Sequence, residues 1–493
     1  MSDNTSIPTI GIAAPRGNAL AGFGELPVWL ALAGMALLPF LVTSFPSLTD
    51  YPSHLARWHV MLDLDDSPFL HKFYDFHWHL VGNLGTDLLA LPLGRIFGVE
   101  LAGQIIAGSI VPLTLVALFL VARAIYGQIP APAYLAVNFV WAAPFSLGFL
   151  NYTLSIALAL FAFAAWVTRE GRDSRAPLMA LAACGIWLCH SGGWGALVLM
   201  VGGYELARTG NPIIAGLRAL PTLAPLPLVL DKTVQVAGHA PLTTWNYKLT
   251  ALAYCLTGRF KLLDAVCLAL LLLLAAVLIA RGIVRIDLRL GIPAALVFMA
   301  AMVLPRSFGG GDLADVRLFP VAGLLFFLSL RAEGMDWLRQ AAIALFAARM
   351  AIVASGWHDD GELRERQVAA LEEVEPGSRV LNFVLSNGSL YDMPSNSHLS
   401  GYAVIRRDAL TNSNFAIPGV HMLSVRAPYT EWVDPSQFRR RNRKLNAMNM
   451  QVLPVTADYV WYMGKARALL PKRATIVYRD SESLLARIAP REG

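Results

Sequence analysis

The sequence predicts an α-helical polytopic membrane protein, with about eleven transmembrane helices and a C-terminal, water-facing α/β domain. Three observations predict it. Of the 493 residues, 56% are hydrophobic and only 15% charged, and the mean hydropathy is +0.52, whereas a soluble domain carries about 25% charge. The charge is unevenly spread: from His358 onward 33 of 136 residues are Lys, Arg, Asp or Glu, about 24%, against about 11% before it. Apolar runs close to the length that spans a bilayer recur up to residue 355. Together these exclude a disordered, fibrous or ordinary cytosolic protein. The net charge of +6 is expected of cytoplasmic loops and is no sign of nucleic acid.

The elements follow in order. Residues 1–25 read as a cytoplasmic tail, with no cleavable signal peptide. Spans are expected at 26–45, 101–125, 131–149, 152–168, 176–190, 192–208, 212–230, 262–280, 290–305, 316–331 and 337–355, forming a membrane domain over 26–355. The break at His190-Ser191-Gly192-Gly193 reads as a hairpin, because paired glycines interrupt helices. The loop 46–100 is expected to hold a helix at 51–62 and a juxtamembrane helix at 82–98. Arg123, Arg169, Arg172, Arg175, Arg208, Arg281, Arg285, Arg289, Arg331 and Arg339 fall on one side only if 82–98 does not span and the N-terminus is cytoplasmic. The loops 46–100, 231–261 and 305–315 and the domain 356–493 then face outward, the periplasm of a Gram-negative inner membrane. In 356–493, strands are expected at 379–385, 451–455, 459–462 and 474–478 and helices near 362–374 and 481–488. The cysteines, Cys184, Cys189, Cys255 and Cys267, lie in or beside apolar segments without metal-site spacing, and none falls in this domain.

The unusual residues gather at the outer edge. His54, His59, His71, His77 and His79 lie in the first outer loop, with Asp50, Asp63, Asp65, Asp66, Asp75 and Asp87. On a helix, Asp50, His54 and Arg57 share one face at spacings of four and three. A carboxylate beside an imidazole and a guanidinium suits proton abstraction next to an anion; a solvated loop with local ion pairs is the plainer reading. No pair has helical metal-ligand spacing, so a metal is not expected from the histidines, although carboxylates could take a divalent cation, Mg or Mn. His190 is an ionisable group at membrane depth and so a candidate for function or for an interfacial bond. In the segment 305–320, Arg306 precedes three glycines, and Asp315 and Arg317 open a span. An outward Arg calls for an anionic partner: Asp315, Asp312 or a lipid-linked phosphate, which matches the planar donor fork. Around the amphipathic run 249–256 lie His239, Trp245, Lys248, Arg259 and Lys261, a pattern for an interfacial helix that covers a lipid substrate or acts as a structural lid. Asn151-Tyr152 opens the fourth span on the same side. The basic run Arg439–Lys444 reads as a solvated face or a contact for anionic headgroups. Walker, nucleophile-elbow and zinc-protease motifs are lacking.

One apolar span, a long outer loop opening on Asp, many further spans and an outer C-terminal domain resemble the GT-C superfamily of membrane glycosyltransferases. More narrowly, Asp50-Tyr-Pro-Ser-His-Leu-Ala-Arg57, Asn83-Leu-Gly-Thr-Asp87, Gly148-Phe-Leu-Asn-Tyr152 and Cys189-His190 resemble bacterial polytopic proteins with Asp-x-Pro-x-His-Leu-Ala-Arg after the first span. The resemblance covers about residues 25–355. It implies a sugar donor carried on polyprenyl phosphate and an envelope glycan, lipid or protein as acceptor. Asp50 is then the general base, the reaction inverts, and Arg317, with Arg57, holds the phosphate. His54, Asn83, Asp87, Asn151, His190, Trp245, Lys248, Arg306 and Asp315 complete the expected substrate site. The chain departs from protein mannosyltransferases and lipid A aminoarabinose transferases, which carry Asp-Glu where Asp50-Tyr51 stands here, so acceptor class and metal need do not carry over. A transporter or flippase of lipid-linked sugars, or a non-catalytic subunit of an envelope polysaccharide system, are the competing expectations. The clustering of polar residues at one edge and the lack of a repeat weigh against transport.

Overall fold

A computed structural model describes residues 25–230, 244–307, 313–385, 391, 396–417, 419–430, 432, 439–440, 457–464, 470 and 473–489. His239, Asp312, the three glycines, the run after Arg440 and the expected strand 451–455 lie outside these residues, as does the tail up to residue 24.

The first helix, α1 (Leu26–Leu41), leads through a short turn to α2 (Tyr51–Asp63). Pro52 sits at the start of α2, where its missing N–H costs nothing, and Asp50 is the residue before the first turn. The expected juxtamembrane helix is α3 (Gly85–Phe97). At about 1.5 Å per residue its 13 residues reach only about 20 Å, too short to cross a bilayer of about 30 Å. Its Leu88, Leu89, Ile96 and Phe97 are exposed while Thr86, Asp87 and Ala90 are buried, the pattern of a helix lying in the interface. Then come α4 (Val99–Tyr126), α5 (Leu150–Thr168), α6 (Arg175–Cys189) and α7 (Ser191–Thr209), with His190 as the hairpin residue between the last two. The short helix α8 (Trp245–Ala253) precedes α9 (Lys261–Ala280), α10 (Leu288–Val303), α11 (Leu318–Leu328) and α12 (Asp336–Ala369). Among the described residues, four helices are long and apolar enough to cross a membrane, and five shorter apolar ones accompany them.

Two expected spans are broken. Residues 131–149 form a 3-10 helix, Ala131–Phe139, and a single turn, Ala143–Ser146. Pro132 and Pro144 open these two pieces, and nearly every residue between them is buried. Irregular backbone at membrane depth survives only inside protein, where its polar groups find partners. Arg349 of α12 supplies them, donating to the carbonyls of Asn138, Trp141 and Leu256 while paired with Asp264 at 2.9 Å. Residues 212–230 likewise split into Pro212–Ala219, Leu220–Leu223 and Leu226–Leu230 at Pro221, Pro225 and Pro227.

The helix α12 runs unbroken for 34 residues across the position where the membrane and water-facing domains were expected to part. Beyond it lie β2 (Arg379–Leu385), α13 (Gly401–Arg407), β3 (Leu410–Thr411), β4 (Leu423–Val425), β5 (Tyr459–Met463), β6 (Ala474–Arg479) and β7 (Ser483–Ile488), while β1 (Tyr74–Phe76) comes from the outer loop. The main sheet has the order β3-β2-β5-β7-β6, with Arg439–Arg440 also pairing β2. It is parallel at β3-β2-β5 and antiparallel at β5-β7-β6. The helix expected at 481–488 is the strand β7. Its Leu, Ala and Arg favour helix locally, but β7 pairs with strands on both sides and buries Leu484, Leu485 and Ala486, a tertiary gain that overrides propensity.

The C-terminal segment is sewn to the outer loop. β1 pairs antiparallel with β4, Tyr74 opposite Val425 and Phe76 opposite Leu423. Helix α13 lies against α2, and a Cβ on Gly401 would stand 2.4 Å from the Pro52 carbonyl. Only a residue without a side chain allows that approach.

Candidate functional site

Asp50 is fixed from two directions. Its N–H donates to the Leu147 carbonyl at 3.0 Å, and its own carbonyl accepts from Ser53 and His54. Gly148, at φ +84°, presses on it so closely that a Cβ there would lie 2.8 Å from the Asp50 nitrogen. The carboxylate keeps 20% of its surface exposed, and Oδ1 lies 3.4 Å from Nε2 of His398.

The imidazole beside Asp50 is thus His398, not the expected His54. The reason is that His54 is fully committed. Its Nε2 donates to the Gly148 carbonyl at 3.2 Å, and its Nδ1 accepts from Arg57 Nη2 at 3.3 Å. Burial, followed by the Arg57 charge, holds its pKa well below the usual histidine value, so it is a neutral strut. Arg57 is likewise committed. It makes a two-pronged pair with Asp87, Nε to Oδ1 at 2.8 Å and Nη2 to Oδ2 at 2.9 Å, with both side chains fully buried. Trp58 also donates to Asp87. Its remaining nitrogen, Nη1, is buried without a hydrogen-bond partner. Asn151 accepts from Thr86 N–H and Oγ and donates to Asn83 Oδ1 and carbonyl. The four expected residues His54, Arg57, Asp87 and Asn151, with Asn83, are therefore brought together as the internal frame that binds α2, α3 and α5 beneath Asp50.

A second group surrounds Arg317, which starts α11. Its guanidinium lies 4.2 Å from the Phe149 ring centre and 5.6 Å from that of Tyr152, whose hydroxyl donates to the Arg317 carbonyl at 2.7 Å. Its Nη1 is 2.9 Å from His190 Nε2. His190 Nδ1 accepts from Gly192 N–H at 2.9 Å, as cap of α7. A neutral imidazole has one acceptor nitrogen, so the cap bond puts the ring N–H on Nε2, and two donors face each other. Arg317 and Tyr152 also line a small, mostly apolar cavity of about 40 Å³, with Ile110, Phe139, Phe145, Ile156, Val321 and Leu324 among its walls. Asp50 and Arg317 both meet the turn at Gly148-Phe149: Gly148 touches the first and Phe149 the second.

The remaining candidates stand apart. Asp315 pairs with Lys248 at 2.6 Å rather than with Arg317, both side chains being buried. Lys248 also donates to the Ala301 and Leu304 carbonyls, tying α8 and the end of α10 to the segment before α11. Trp245 is 72% exposed. Arg306 lies over the Tyr247 ring. The five loop histidines do not gather: His54 bonds to the Gly148 carbonyl, His59 pairs with Asp63 and Asp408, His71 approaches Asp65, His77 N–H donates to the Met422 carbonyl, and His79 Nδ1 donates to the His77 carbonyl. Among the described residues no three His, Cys, Asp or Glu side chains form a metal cluster.

The residues missed by sequence reasoning all come from the C-terminal segment. His398 Nδ1 lies 2.8 Å from Ser53 Oγ and 2.9 Å from Ser413 Oγ. Phe415 is ringed by His54, His398 and His421, and Arg57 lies 6.0 Å from its centre. Asn412 clamps both backbone groups of Asn382 on β2, and Tyr74 holds the Ala409 carbonyl and Asn414. The signal was present but faint: His398 and His421 lie in a segment otherwise poor in histidine, beside polar runs at 395–398 and 411–414.

The sequence matches no protein-family model and no curated protein. Among solved structures, ArnT from Cupriavidus metallidurans in the apo state aligns over 94% of this chain and 98% of its own, with a TM-score of 0.50 at 12% identity. The fold is ArnT-like. The same protein bound to undecaprenyl phosphate aligns over the same shares at TM-score 0.48 and 11% identity. The ArnT-like fold, together with the apolar helices, agrees with the expected polytopic helical architecture.

Proposed function

We propose that the protein is a membrane glycosyltransferase that moves a sugar from a polyprenyl-phosphate carrier to an envelope acceptor, with Asp50 as general base. The observation that carries this reading is that Asp50 and Arg317 both contact the Gly148-Phe149 turn, with Arg317 among the residues that line a mostly apolar cavity. The ArnT-like fold supports it. The acceptor hydroxyl attacks the anomeric carbon and passes its proton to the Asp50 carboxylate. The carbon–oxygen bond to phosphate breaks, and its electrons leave on the phosphate. Attack opposite the leaving group inverts the centre. Arg317 and His190 hold that phosphate. Two donors that face each other at 2.9 Å are relieved when an anionic oxygen accepts from both. The isoprenoid lies along the apolar cavity, and α3 with Trp245 rests at the membrane surface. A carboxylate base and a good leaving group complete the reaction by positioning; Mg or Mn is tested in the same assay by chelation. The active face is periplasmic in an inner membrane, with the N-terminus in the cytoplasm.

The test is sugar transfer in nanodiscs from a panel of polyprenyl-phosphate sugars to envelope extract. Asp50→Asn is expected to lower kcat by about 10²- to 10⁴-fold, the usual worth of a general base. Arg317→Lys, which keeps charge but loses the fork, is expected to raise the donor KM. Transfer by wild type that survives in Asp50→Asn removes Asp50 from the role. Donor binding without transfer by wild type favours a transporter instead.

A further inference from the structure

Two hydroxyls meet Nδ1 of His398, Ser53 Oγ at 2.8 Å and Ser413 Oγ at 2.9 Å. A hydroxyl that donates to Nδ1 leaves the ring proton on Nε2. Nε2 faces Asp50 Oδ1 at 3.4 Å. A bare nitrogen lone pair against a carboxylate is repulsive, so a proton lies between them. His398 is 5% exposed and Asp50 belongs to the other end of the chain; neither the fold of the membrane body nor α2 alone makes this pair.

We propose that Asp50 and His398 form a dyad, in which the C-terminal segment supplies the imidazole N–H that holds and orients the carboxylate. The use of the dyad in sugar transfer rests on the reading above; the pairing itself rests on the geometry. His398 is a positioning residue: it keeps its proton on Nε2 throughout, and the proton taken by Asp50 from the acceptor returns to water. Among the described residues, the other ionisable groups facing this pocket are His54 and Arg57 from α2 and His421 beside Phe415. Burial, then the Arg57 charge, holds both other histidines well below the ordinary value.

Two measurements decide it. In the full chain in nanodiscs with labelled histidine, the His398 ring signal, assigned by its loss in His398→Gln, is expected to stay protonated about one pH unit or more higher in wild type than in Asp50→Asn. Identical titration in the two overturns the dyad. If His398→Gln does not fold, Ser413→Ala, which perturbs the same ring, gives the assignment. In the transfer assay, His398→Gln is expected to lower kcat by about 10- to 100-fold, the worth of one charge-assisted hydrogen bond. KM for the donor should change little. The acidic limb of the pH profile should move upward, because Asp50 loses the ring N–H that favours its charged form. An unchanged rate and profile also overturns the proposal. Absence of transfer by wild type sinks the transferase reading, while the titration still decides the dyad.

Discussion

At the scale of single residues, the site is built by committing polar atoms until few remain. His54, Arg57, Asp87 and Asn151 answer one another, and what stays accessible is the Asp50 carboxylate. His59 shows the opposite electrostatics to His54. Burial works against its charge, but bonds to Asp408 and Asp63 outweigh this and raise its pKa to about 9. The stabilisation is fully present below the unfolded value of about 6.5, declines as pH rises, and is gone above about 9. His59→Gln is thus expected to lower the thermal unfolding midpoint at pH 6 and to leave it nearly unchanged at pH 9.5. The full effect is on the order of 3 kcal/mol. Equal losses at both pH values would refute the ion-pair account. Lys248 carries a different load. Lys248→Met leaves Asp315 buried without its cation, a change worth about 3–5 kcal/mol. Reduced stability together with a raised donor KM is expected, since Asp315 lies two residues before Arg317. Stability unchanged in a denaturation assay would show that the pair is dispensable.

At the scale of elements, the broken segment between α4 and α5 matters most. A straight span over 131–149 would leave no turn at Gly148, and Asp50 and Arg317 would lose the element that both contact. Prolines open the 3-10 stretch and the following turn, and Arg349 satisfies the exposed carbonyls. Gly148 then adopts φ +84°, which costs an L-residue about 1–2 kcal/mol. Gly148→Ala adds a Cβ 2.8 Å from the Asp50 nitrogen. Transfer is expected to fall at least about tenfold, with kcat affected before donor binding, because the displaced atom belongs to the base. A variant with wild-type kcat would disconnect the turn from Asp50.

At the scale of the whole molecule, the C-terminal segment is part of the site rather than an appended domain. The long helix α12 delivers it, β1 with β4 pins it to the outer loop, and α13 seats it on α2. Gly401→Val drives a branched side chain into the Pro52 carbonyl and should lift the segment from α2. The expected result is loss of transfer with the membrane body still folded, read by activity and by protection of the α2 backbone from hydrogen exchange. Retained activity would mean that the segment reaches Asp50 without this seat.

The sequence by itself determined the apolar helical body, a helix within 82–98, the helix at 51–62 with Asp50 at its head, and strands at 379–385, 459–462 and 474–478. Each of these follows from local composition and period, which are properties of neighbours in the chain. Arg57 and Asp87 were also legible as a motif, but not as a pair closed on itself. Only the tertiary structure decided that Asp315 belongs to Lys248, that 481–488 is a strand, and that the imidazole at Asp50 is His398. The physical reason is the same in each case. Which partner a buried charge takes, and whether a leucine-rich segment extends, depend on what lies across from it: 67 residues away for Asp315 and Lys248, 348 for Asp50 and His398, and 20 to 28 for β7 on β5.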